Sequence, residues 1–375
     1  MLKLVTFSLV KRRHLLYVSA KSLNPWLFKL IPSKSAKSWQ SPSKAALLTG
    51  LKSSLLINPS ADCTSGTSDH IILKPEQKHS VSELLKVFNE SLSAKSMAFL
   101  LSQLGRTVYG KKSEMSRLER ESSDHSASVV IRLLDCIADS ISLLQNRELA
   151  IVAWSLGKIK VCDHPIIKAC ENEIISRGLG SFDDRSLSQI AWGFSNMDWE
   201  ECNLFIEMQK SILQGELHIA DFDRRGLVQV LVAFAATGSG SPELYQFFLQ
   251  YVLSYDFSAF MIIDLADIAW SFAKKGIQAD KLFKNIEAEL FRRGHSTINK
   301  GRDIAKLLWS FAVANQGSKR LFKALEGQIL QLNNLYGFTN ENLKDTLWAF
   351  EKVGGMGRDV LERLEEEVQR RGIQR

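Results

Sequence analysis

Cations recur along this chain at a spacing that only a repeated element can produce. Arg147, Arg185, Arg225 and Arg302, with Lys95 ahead of them, share one register. Lys158, Lys274 and Lys352 share a second, eleven residues further on within each unit. A third, four residues after the first, holds Gln189, Gln229, Asp267, Lys306 and Asp345. A guanidinium at a helix start can grip phosphate with its planar fork, helped by the positive helix end. A varied Gln, Asp or Lys one turn along can reach a base edge, as in RNA readers that take one base per repeat. Together the rows suit a single strand of RNA, phosphates on the first two and bases on the third. The bland alternative is a solvated polar face whose arginines pair with the acids of the next unit.

No chemistry of bond making is legible. The histidines (His14, His70, His79, His125, His164, His218 and His295) do not cluster, and no nucleophile motif accompanies them. No glycine-rich phosphate loop occurs; Gly238-Ser239-Gly240 reads as a turn between helices. Five cysteines without a CxxC support neither a disulfide frame nor zinc, and the spacing of Cys162, His164 and Cys170 fits no common metal pattern. The expectation is a non-enzymatic chain with no catalytic residue, metal, cofactor or small-molecule substrate.

The elements that carry the cations repeat as a phrase. It reads LAIVAWSLGK at 149–158, LSQIAWGFSN at 187–196, LADIAWSFAKKG at 265–276, IAKLLWSFAVAN at 304–315 and LKDTLWAFEKVG at 343–354. Fainter copies cover 97–106 and 227–238. Ser102, Trp154, Trp192, Val232, Trp270, Trp309 and Trp348 fall in one register, the last five steps being 38, 40, 38, 39 and 39 residues. Such a period predicts stacked identical supersecondary units. Within each unit the phrase is helix A, and a second stretch with apolar residues at three- and four-residue steps is helix B. Several B helices close on Arg-Gly or Arg-Arg-Gly, which places cations and a C′ glycine at the helix end. Phe182-Asp183, Phe222-Asp223 and Phe338-Thr339 mark A-helix starts, the polar residue capping and the Phe stapling onto the N4 leucine.

With the anchor leucine at zero, the Ile three on and the Phe seven on face the partner helix, at about 300° and 340°. Positions two before, two after, six after and nine after fall between about 160° and 260°, the cationic face. The tryptophans, near 140°, are expected to pack between stacked units rather than on bases, the small residues beside them allowing close approach.

Residues 1–61 hold ten cations and no acid, so that the remainder carries 38 basic residues against 41 acidic. An anion-binding surface must therefore be local. This basic, serine-rich, acid-free stretch reads as an organellar presequence, for a mitochondrion or alternatively a plastid. No apolar run reaches 18 residues, so membrane insertion is not expected. Residues 62–80 read as a linker and 81–375 as an all-α solenoid of about seven helix pairs, with an exposed insertion at 110–128.

The phrase L-x-x-I-A-W-S-F-A-x-x-G in such units resembles octotricopeptide repeats and the related heptatricopeptide repeats. It is also similar to the helical region of RAP and FAST-kinase-like mitochondrial proteins. The resemblance covers about 81–375, strongest at the five phrases quoted. It implies an organellar RNA-binding protein acting in transcript processing, stability, translation or ribosomal-RNA maturation. Many such proteins end in a RAP module; none is expected in this sequence. Single-stranded organellar RNA is the expected partner, with ribonucleoprotein subunits as further candidates. The rival is a non-enzymatic, protein-binding α-solenoid scaffold within an organellar ribonucleoprotein.

Overall fold

The computed structural model describes residues 87–88, 91–108, 124–161, 164–197, 202–294, 297–355 and 357–373. The expected presequence and linker lie outside them, as does 110–123; residues 124–128 of the expected insertion begin a helix. The described residues are all-α and form seven A–B pairs, as expected for an α-solenoid. The A helices are α1 (Ala94–Val108), α3 (Asn146–Ile159), α5 (Asp184–Asn196), α7 (Arg224–Ala236), α9 (Ile262–Lys274), α11 (Gly301–Val313) and α13 (Asn340–Lys352). The B helices are α2 (Asp124–Asp139), α4 (Pro165–Arg177), α6 (Leu204–Leu213), α8 (Pro242–Ser254), α10 (Asp280–Arg293), α12 (Lys319–Gln331) and α14 (Arg358–Arg370).

Short polar devices set the boundaries. Asp183, Asp223 and Thr339 accept from the N–H groups of Ser186, Gly226 and Asn342 at 2.6, 2.6 and 3.1 Å. These are the caps expected at the three A-helix starts, and Phe182, Phe222 and Phe338 before them are buried. Where the cap is absent, an N3 carboxylate reaches back instead: Glu148 accepts from Gln145 N–H at 2.8 Å and Asp264 from Met261 N–H at 3.1 Å. B-to-A links among the described residues contain 3₁₀ turns at Ile141–Leu143, Leu179–Ser181, Ile219–Asp221 and Phe257–Ala259.

The terminal arginines of the B helices do more than favour the helix dipole. Arg177 donates to the Ser142 carbonyl, Arg293 to those of Phe257 and Ser258, and Arg371 to those of Leu335 and Phe338. Each arginine is held by the glutamate one turn back, Glu173, Glu289 or Glu367. The B helix thus clamps the turn that enters its own unit. The following glycines Gly178, Gly294 and Gly372 have φ of 76°, 81° and 62°, open to glycine at no steric cost.

Successive A helices pack along one another throughout the stack, whereas the B helices touch more sparingly. Small residues explain the difference. A Cβ on Gly193 would stand 2.3 Å from the Ala153 carbonyl oxygen, and one on Gly157 would stand 2.4 Å from that of Gly193. The seam between A helices is therefore backbone against backbone. Ser155, Ser271 and Ser310 occupy it fully buried, each donating its hydroxyl to the carbonyl four residues back.

Candidate nucleic-acid interface

Four positions of the A helices stay at least partly open once the seams and the B layer are covered, Ser102 and Asp267 being the buried exceptions. They lie two before, two after, five after and nine after the anchor leucine, within about 60° of one another. They form one ridge with steps of four, three and four residues, so side chains at these positions stand in line. In α3 the ridge is Arg147, Ile151, Trp154 and Lys158; in α5 it is Arg185, Gln189, Trp192 and Asn196.

Two expectations change here. The position six after the leucine belongs to the cationic face by angle, yet Ser155, Gly193, Ala233, Ser271, Ser310 and Ala349 are buried in the seam between A helices. The tryptophans, expected inside the stack, sit on the ridge: Trp154, Trp192, Trp270 and Trp309 are half-buried, and Trp348 is 41% exposed. The neighbouring small residues Ala153, Ala191 and Ala269 are fully buried, as expected.

Lysines lie over these indoles. Lys158 Nζ stands 5.1 Å from the centroid of Trp154 and 4.6 Å from that of Trp192, the two rings themselves being 6.2 Å apart. Burial between them lowers the Lys158 pKa. Lys274 lies 5.6 Å from Trp270, Lys306 of the next unit 4.9 Å from the same ring, and Lys352 5.2 Å from Trp348. These contacts are within the range of cation–π attraction.

The expected phosphate-binding residues meet different fates. Arg147 and Arg185 are exposed, flanking the Asp183 cap. Hydrogen bonds from the Ser186 hydroxyl and N–H hold that carboxyl low, and the two arginines add to the effect. Lys95 reaches Glu148 of the next unit at 3.5 Å, and Arg225 reaches Asp264 of the next at 2.5 Å. At these two positions the bland reading, pairing to the following unit's acids, describes the geometry. Arg302 lies 3.3 Å from its neighbour Asp303. Lys274 and Lys352 are exposed beyond their indoles.

Among the expected base-facing residues, Gln189 and Gln229 are half-buried on the ridge. Asp267 and Lys306 meet each other, 2.5 Å apart, and Asp267 is buried. Asp345 is half-buried; burial and then Glu341 push its carboxyl up, while Lys274 opposes them from two units away. The sequence reading does not anticipate the particular pairs to Glu148, Asp264 and Asp303. All three are N3 residues of their helices, so the capping-box register is the signal that could have found them.

Among the described residues no three His, Cys, Asp or Glu side chains gather closely enough to hold a metal ion. His164 Nδ1 accepts from Ile166 N–H at 3.2 Å, Cys170 is buried in the core, and Cys162 lies outside the described residues. No helix among the described residues is long and apolar enough to cross a membrane. The chain matches no family model, and no curated protein shows significant similarity to it.

Proposed function

We propose that this chain is an organellar RNA-binding repeat protein that holds single-stranded RNA along the ridge of its A helices. The observation that carries the reading is the ridge itself, where five of the seven units set an indole beside at least one cation. Its four positions over seven units hold ten cations and three carboxylates, against the slightly acidic balance of residues 62–375 as a whole. Partly exposed aromatic faces beside cations are what a sequence-tolerant single-strand site requires: stacking for bases, charge for phosphates. The octotricopeptide-like phrase points the same way, toward transcript processing, stability, translation or ribosome assembly. The acid-free, basic first 61 residues support a mitochondrial address.

The test is ultraviolet crosslinking of the protein to single-stranded organellar RNA, with the crosslinked peptides mapped by mass spectrometry. Adducts are expected on α3, α5 and α9, and at Trp154, Trp192 or Trp270 among the residues hit. A duplex of the same sequence should compete poorly, because its bases are already stacked. Adducts confined to B helices, or their absence beside capture of a protein partner on the same ridge, would overturn the reading in favour of a scaffold.

A further inference from the structure

The ridge is electrically uneven along its length. Over units one to four its charged residues are Lys95, Arg106, Arg147, Lys158, Arg185 and Arg225, with no carboxylate among them. Over units five to seven it carries Lys274, Arg302, Lys306 and Lys352 together with Asp267, Glu341 and Asp345. Lys95 and Arg225 of the first half are committed to Glu148 at 3.5 Å and Asp264 at 2.5 Å, and the second half neutralises itself within the ridge. Lys306 is committed to Asp267 at 2.5 Å, and Lys274 acts on Asp345 across the intervening unit. A phosphate approaching units five to seven must displace or face a carboxylate. One approaching units two and three meets Arg147, Arg185 and Lys158 beside uncharged Ile151, Gln189 and Asn196. The Asp183 carboxylate, bonded to Ser186 N–H, lies between the two arginines.

We infer that a bound RNA strand is gripped by its phosphates at units two and three, while units five to seven hold it by stacking on Trp270, Trp309 and Trp348. The inference rests on the RNA-binding reading above and adds a polarity to it. In the stacking half, Lys274 and Lys352 hold Trp270 and Trp348 by cation–π attraction and so fix the indoles on which a base stacks. In the gripping half, Lys158 is the cation shared by two indoles and stands at the junction between the two exposed arginines' helices.

Salt dependence separates the two halves, because only phosphate contacts release counterions. The probe is fluorescein-labelled dodecauridylate, titrated against the full chain by anisotropy over a range of KCl. One variant carries Arg147→Gln with Arg185→Gln, the other Lys274→Gln with Lys352→Gln. All four side chains are exposed, and thermal unfolding of each variant is the check that it folds. The arginine variant should lower the slope of log K against log salt by about 1.4, at about 0.7 for each phosphate that is no longer neutralised on a single strand. The lysine variant should weaken binding with the slope intact. Equal slope changes, a change confined to the lysine variant, or no change in either overturns the polarity and leaves RNA binding standing. Failure of the unmodified chain to bind the probe sinks both.

Discussion

Gly193 carries no side chain because its α-carbon faces the Ala153 carbonyl across the seam between α3 and α5. Gly193→Ala should therefore destabilise the protein by about 1–3 kcal/mol, the usual cost of overpacking, despite alanine's better helix propensity. Thermal unfolding measures it, with Ser271→Ala as control. That serine donates only to a carbonyl of its own helix, so its removal should cost under about 1 kcal/mol. Equal losses in the two variants would remove the close-approach argument. His164 makes a second prediction at this scale. Its Nδ1 accepts from Ile166 N–H, and its Nε2 lies 3.4 Å from Asp135. Burial lowers its pKa, with Asp135 opposing. The unfolded chain then binds the proton more readily, so this contribution is present above about pH 6.5 and is lost as pH falls below it. The melting temperature should drop between pH 7 and pH 5, and His164→Asn, which caps without titrating, should flatten that drop.

Among the described residues, four of the six junctions between successive B helices carry a device that neither helix shows alone. A polar residue near the middle of one accepts from the first N–H groups of its successor: Glu171 from Asn203 and Leu204, Gln209 from Ser241, Glu287 from Ser318, and Glu326 from Gly357. The start of these B helices is thus satisfied by the neighbour, in α8 and α12 as well as by the Ser241 and Ser318 caps, which compensates for the sparse contact between B helices. Glu171 is the extreme case, fully buried, with Lys168 at 3.0 Å as its counter-charge. Glu171→Ala leaves two N–H groups without their acceptor and should cost about 1–3 kcal/mol. Hydrogen exchange provides a sharper test than melting alone. Loss of protection should concentrate at the start of α6, whereas uniform loss across α4 and α6 would mean a packing defect instead. In the sequence these residues look like ordinary surface charges, because their partners lie 31 to 33 residues away on another unit.

At the scale of the whole stack, periodicity made the architecture legible, since a phrase recurring every 38 to 40 residues, centred on Trp in all its later copies but the one at Val232, marks repeated units. The A-helix starts at Asp183, Asp223 and Thr339 were equally readable, because a cap is a local event. What sequence could not resolve was the division of the helix between seams. Trp192 and Gly193 are adjacent in the chain, yet one lies on the open ridge and the other against backbone. Hydrophobicity ranks the two, but only the packing of a third helix decides which direction is covered. The same limit hid the Arg225–Asp264 and Lys306–Asp267 pairs, each bridging 39 residues.

The seam residues also set α13 apart from the other A helices. One position after the anchor leucine, the forward side reads Ala98, Ala150, Ser188, Val228, Ala266 and Ala305, all buried, and then Lys344, exposed. Eight after it, Gly157, Ala235, Ala273 and Ala312 are buried, while Glu351 is exposed. The forward face of α13 thus carries charge where every inner helix carries a small group, the polar cap a repeat stack needs to stay soluble. Lys344→Ala with Glu351→Ala should restore an inner-type face beside the exposed Trp348. Two such faces can meet about a twofold axis, so the variant should self-associate as its concentration rises. Sedimentation velocity over a tenfold dilution series measures this against the unmodified chain. If the sedimentation coefficient of the variant stays constant and equal to that of the parent, these charges do not close the stack.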